Sequence, residues 1–179
     1  MNPEKQQHQK TILLDASSAI LMAKAGFHET MADSYSILMA DSVFDEITRK
    51  KLPGSDEYRK LLQEIRLQVF PVTISPRPMA DTALQKLDRG ERETILLFKD
   101  GYGDFVVTDD GAAARFCRNN EIPFVNSLLL LRLLSLSGRI DLSSFEAGFQ
   151  SLLARGRYSE IVKEYAQNCP GSELYFFIS

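Results

Sequence analysis

The feature that most constrains this chain is a recurring unit: a short apolar run stops at a polar or acidic residue and gives way to a helical pattern. "TILLD" (11–15) reads as a fully buried strand, followed by a helix over 17–25 that Gly26 ends. "SILMA" (36–40) predicts a second strand, after which Asp41 or Ser42 caps a helix running through "VFDEITRK" to a basic end. "FVVTDD" (105–110) is a third buried run that closes on carboxylates before the helix "GAAARFCRNN". Strands this uniformly apolar must be covered on both faces. Their alternation with helices implies an α/β fold around a central, mainly parallel sheet. Ligands of such sheets collect beyond the carboxyl ends of the strands.

The rest of the chain fills in that plan. Pro53-Gly54 is a turn, and 55–66 has a helical period. "LQVFPVTI" is a strand interrupted by Pro71 and closed by Pro76 and Pro78. A helix over 79–88 leads to Arg89-Gly90, and another begins near Glu91. Gly101 and Gly103 mark a turn, and residues 123–125 form a short strand before a Leu-rich helix over 127–138. Amphipathic helices fit 141–154 and 157–168, and "ELYFFIS" is either a strand or an ordered tail. At 179 residues the chain has the size of one domain. It divides into a leader (1–10), an α/β unit (11–126) and a C-terminal helical extension (127–179) packed on the same domain.

Composition narrows the function classes. The chain is 44% hydrophobic and 25% charged, as an ordinary globular protein is. Its net charge of −3 gives no overall electrostatic footprint for nucleic acid, so such binding would need a local basic patch. Arg49-Lys50-Lys51 with Arg59 and Lys60 is either that patch or a solvated helix end. Cys117 and Cys169 have no metal-motif companions and form no disulfide framework, which fits a reducing interior. His8 and His28, the two histidines, offer little for catalysis. The leader has no apolar core of a signal peptide. The run from Ser127 to Gly138 is too short to span a bilayer and contains Arg132. A cytoplasmic protein is expected.

Acidic residues fall at comparable stations. Asp15 ends the first strand, Glu46 lies one turn into a helix, Glu91 and Glu93 open another, and Asp109 and Asp110 end a strand. Each has a plain structural reading. Asp15 and the Asp109-Asp110-Gly111 step suit helix caps, Glu46 a solvated helix face, and Glu91 and Glu93 a helix dipole. Gathered at one strand-end cleft, however, they would repel one another unless solvated or neutralised by a cation. Hard oxygen ligands without His or Cys point to Mg²⁺ or Mn²⁺, ions suited to phosphodiester hydrolysis.

In order, "ILLDASSAILMAKAG", "SVFDEI", "RGERETILLF" and "VVTDDGAAARF" resemble the successive motifs of PIN-domain proteins, over about Thr11 to Pro123. The nearest pattern is the subgroup with D-x-S, G-E-x-E and D-D-x-x-A-R; the best-known members of the family are VapC-type toxins. The resemblance implies a Rossmann-like three-layer α/β/α sandwich and Mg²⁺- or Mn²⁺-dependent cleavage of single-stranded RNA. Asp15 matches the first metal-binding acid and Glu46 the second. Glu91, with Glu93 beside it, matches the third, and Asp109 or Asp110 the fourth. Ser17 and Thr108 match hydroxyl positions that hold water or a carboxylate. On this pattern a water activated with help from Glu46 or Glu93 attacks the phosphorus in line. Lys24, Arg92 and Arg115 are candidates for phosphate contact, each with a surface ion pair as the alternative, and Arg115 equally suits bracing the Asp pair. The family also implies a homodimer and, for a toxin, a small antitoxin protein as partner. This chain departs from the usual toxin in its longer C-terminus, its glutamate at the third acid and its acidic charge.

Other readings fit less well. A haloacid-dehalogenase-type phosphatase would need an acid where Ser17 stands. No glycine fingerprint follows the first strand, and no G-x-x-x-x-G-K-[ST] occurs. The alternative from another class is a PIN-like binding or regulatory module without turnover.

Overall fold

The structure, a computed structural model, describes residues 9–72 and 82–178. Five parallel strands form one sheet: β1 (Thr11–Leu14), β2 (Ser36–Ala40), β3 (Leu67–Phe70), β4 (Phe105–Val107) and β5 (Phe124–Val125), in spatial order β3-β2-β1-β4-β5. The register places Leu13 beside Leu38 on one side and Val106 on the other. β1 is therefore the central strand. Ile12, Leu13 and Leu14 are all fully buried, so side chains of both parities meet a helical layer. The expected α/β/α sandwich is the observed one.

Ten helices connect and cover the strands among the described residues: α1 (Ala16–Ala25), α2 (His28–Ser34), α3 (Asp41–Arg49), α4 (Ser55–Gln63), α5 (Arg89–Lys99), α6 (Gly111–Asn119), α7 (Ser127–Leu136), α8 (Leu142–Arg155), α9 (Glu160–Asn168) and α10 (Gly171–Leu174). None is long and apolar enough to cross a membrane. The main core runs from the strands through Met31, Val43, Ile95, Phe116 and Leu133. A second cluster joins Leu21 of α1 to Leu128 and Leu131 of α7, Phe145, Phe149 and Leu152 of α8, and Ala166 of α9. The C-terminal helices are thus locked to α1, the helix that follows the first strand-end carboxylate.

Several local expectations change. The residues after Gly26 form α2, a helix with no side-chain cap at its start, so that end carried no sequence signal. The strand begun by "LQVF" ends at Phe70, because Pro71 has no N–H to continue a ladder. The expected helix over 79–88 falls partly outside the described residues; within them only Leu84–Lys86 is helical, as a 3₁₀ turn. α5 starts at Arg89, two residues before Glu91, because Asp88 caps it. The helix expected over 157–168 starts at Glu160, because Ser159 accepts from the Val162 N–H. "ELYFFIS" is an ordered tail of short helical turns, and Phe177 packs edge-on against Phe105.

Candidate active site

Strand order fixes where a site can form. The chain moves outward from β1 to β2 and β3, then returns to place β4 on β1's other side. The carboxyl ends of β1 and β4 therefore flank the point where strand order reverses, the crevice in which open α/β sheets bind ligands. Asp15 follows β1, and Asp109 and Asp110 follow β4.

Asp15 is 2% exposed and caps α1 by accepting from the Ser18 N–H at 2.8 Å. The Ser17 hydroxyl donates to its Oδ1 at 2.8 Å, and the Thr108 hydroxyl to its Oδ2 at 2.5 Å. Burial pushes its carboxyl up to about 6; the Asp109 charge adds to this, and the bonds from Thr108, Ser18 and Ser17 oppose it. Cap and buried acid coincide in one residue.

Asp109 and Asp110 have different surroundings. Asp109 accepts from the Ser18 hydroxyl at 2.7 Å, the Ser127 N–H at 3.1 Å, the Ser127 hydroxyl, and the Tyr158 hydroxyl at 2.7 Å. Both its oxygens are occupied by donors from α1, α7 and the α8–α9 link. Asp110 caps α6 through Oδ1, which accepts from the N–H groups of Ala112 and Ala113. Its Oδ2 has no hydrogen-bond partner among the described residues. The Thr108 hydroxyl, while donating to Asp15, accepts from the Asp110 N–H at 3.2 Å, so one side chain ties the two strand ends.

Glu91 and Glu93 also separate. Glu91 closes a capping box with Asp88, accepting from the Asp88 N–H at 3.2 Å. Burial raises its carboxyl to about 7, helped by the charges of Asp110, Asp88 and Asp15. Glu91 thus lies within the field of both Asp15 and Asp110. Glu93 is 1% exposed and pairs with Arg89 at 2.7 Å, while its other oxygen is buried without a partner.

Glu46 stands apart. It pairs with Lys50 at 2.8 Å and lines an open cleft of about 380 Å³ between α3 and α5, with Ser42, Asp45, Arg49, Asp88 and Arg89. It approaches the start of α5 across Gly90, where a Cβ would lie 3.2 Å from Val43 and 3.9 Å from Glu46 Oε2. Glycine lets the two helices come close there. Arg115 is exposed on α6, without a hydrogen-bond partner among the described residues; Lys24 is also exposed, and Arg92 Nε is buried without one. Of the basic cluster, Arg49 pairs with Asp45, Lys60 with Glu29, and Arg59 with Asp56 and the Thr48 carbonyl.

No three acidic, His or Cys side chains among the described residues stand close enough to hold an ion directly. The donor chemistry nonetheless fits a hard divalent cation. All donors are oxygens, Asp15 and Glu91 hold their protons more tightly than free carboxyls do, and Asp110 Oδ2 has no partner among the described residues. Mg²⁺ retains several waters and needs few direct protein bonds.

Ser18, Ser127 and Tyr158 gave no sequence signal as parts of this site. Ser127 follows a strand end next to β4 and could have been found that way; Tyr158 sits in a link between helices and could not.

A family profile described as a PIN domain matches residues 11–167. No curated protein and no solved structure gives a significant match.

Proposed function

This chain belongs to the PIN-domain family, a family of nucleases, and on that premise we propose that it hydrolyses phosphodiester bonds of single-stranded RNA with Mg²⁺ or Mn²⁺. The observation that carries this reading is the β1–β4 crevice, where the Thr108 hydroxyl ties Asp15 to the Asp110 backbone and Glu91 lies in the field of both acids. These three would hold the ion in part through the waters it retains. When bound, it neutralises charge, lowers the pKa of water and stabilises the departing oxygen.

The chain's own residues do the positioning. Thr108 and Ser17 orient Asp15 through hydroxyl bonds to both its oxygens. The α6 N-terminus orients Asp110 through one oxygen and leaves the other without a hydrogen-bond partner among the described residues. Glu91 binds a proton more readily than a free carboxylate, so it would give that proton up on holding the ion. Asp109 braces the crevice from behind. Glu46 stands on the rim, where exchange of its Lys50 partner would free it to face substrate.

A silent binding module is the second reading, favoured by the pairing of Glu46 with Lys50 outside the carboxylate group. Incubating the purified protein with generic single-stranded RNA and Mn²⁺ separates the two. The nuclease reading expects cleavage that chelation abolishes and that Asp15→Asn loses with its fold intact. Cleavage surviving that substitution, or absent from the wild type, would overturn it. The narrower toxin role expects growth arrest on expressing the wild type but not Asp15→Asn, relieved by an antitoxin protein.

A further inference from the structure

Between α8 and α9, the Tyr158 hydroxyl donates to Asp109 Oδ1 at 2.7 Å across 49 residues of sequence. Its ring covers Gly156 so closely that a Cβ there would lie 2.3 Å from the ring edge. Only glycine lets the ring edge approach its own link this closely. Tyr158 is also packed against the cluster that joins α1, α7, α8 and α9.

The path continues from Asp109 into the crevice. Asp109 accepts from the Ser18 hydroxyl at 2.7 Å, and its N–H donates to Ser17 Oγ at 3.2 Å. Ser17 in turn donates to Asp15, and the Ser18 N–H does the same. Three successive contacts therefore connect the α8–α9 link to the carboxylate at the end of the central strand. Nothing in the proposed reaction uses Tyr158, and it bonds to none of Asp15, Glu91 or Asp110.

We propose that Tyr158 is a positioning residue of this site: its hydroxyl fixes Asp109, and Asp109 fixes the Ser17–Ser18 turn that aims Asp15. The C-terminal helices thereby set the geometry of the crevice from outside it. The proposal rests on the nuclease reading for its kinetic consequence but not for its structural one.

Tyr158→Phe keeps the ring on Gly156 and removes only the hydroxyl. The expected result is a fall in kcat of about tenfold to a hundredfold, as misplacing a reacting group costs, with KM for RNA and the melting temperature little changed. In an Asp109→Asn background, or in Ser18→Ala should that variant not fold, the same substitution should have little further effect. Amide hydrogen exchange gives a readout without activity: Tyr158→Phe should speed exchange at residues 16–19 and 108–111 as well as around 158. Unchanged kcat, an equal loss in both backgrounds, or faster exchange confined to the α8–α9 link would overturn the proposal. If the wild type cleaves no RNA, the nuclease reading fails, and the exchange pattern alone decides the positioning role.

Discussion

Thr108 and Asp15 lie 93 residues apart in sequence, yet the Thr108 hydroxyl donates to Asp15 Oδ2 at 2.5 Å inside a fully buried pocket. The bond closes the crevice between β1 and β4, and it is the strongest of the bonds opposing the rise in Asp15's proton affinity. It makes Asp15 a usable anion in a site that otherwise disfavours one.

Thr108→Val keeps the shape of the side chain and removes the donor. Asp15 should then protonate at higher pH, and the activity–pH profile should shift alkaline. A buried hydrogen bond to a charged group is worth about 1.5–3 kcal/mol, so the titration should move up by about one to two units and cleavage at pH 7 should fall by about twofold to fifteenfold. A steady-state pH profile of both proteins checks this.

Asp15→Asn should stabilise the fold at pH 7.5. The folded carboxyl is raised from 3.8 to about 6, so Asp15 favours folding fully below pH 4 and loses that contribution as pH rises through 6. Asparagine caps a helix nearly as well as aspartate, and with its carbonyl on the Ser18 N–H the one donor its amide must face is the Thr108 hydroxyl, which can turn to accept. The variant's advantage, on the order of 3 kcal/mol, should be present at pH 7.5 and absent at pH 4 in denaturant melts. Glu91→Gln should act in the same direction over a window from about 4.5 to about 7.

Asp109→Asn and Asp110→Asn should fail in different ways. Asp109 accepts from three hydroxyls and a backbone N–H, so an amide there forces donors to face donors and lowers the melting temperature. Asp110 is a cap with one oxygen unpartnered among the described residues, so its asparagine variant should melt close to the wild type while losing metal-dependent activity. Thermal denaturation beside an activity assay distinguishes the two.

The chain discloses its sheet readily, because "TILL" and "FVV" are apolar at both parities and stop where a helix must be capped. That placed Asp15 and the Asp109-Asp110 pair at strand ends. It did not separate the pair, since one residue of register decides whether a side chain turns back among Ser18, Ser127 and Tyr158 or caps α6. Glu91 and Glu93 pose the same difficulty on a helix, where residues two apart point roughly 200° away from each other. Glu91 reaches the field of Asp15 and Asp110, and Glu93 turns to Arg89. Glu46 is legible as a helix acid, but its pairing with Lys50 follows from side-chain reach. Tyr158 is legible only as an aromatic near two helices; its partner is set by how α8 folds back on α1 and α7.

The most direct test of the account is calorimetric titration of Mn²⁺ into the protein at pH 6.5 and pH 8, in buffers of different ionisation enthalpy. If a divalent ion relieves the field that Asp15 and Asp110 place on Glu91, binding should release a proton at pH 6.5 and almost none at pH 8. Glu91→Gln should bind more weakly and release less. Absence of binding, or binding with no proton release and no dependence on Glu91, would contradict it.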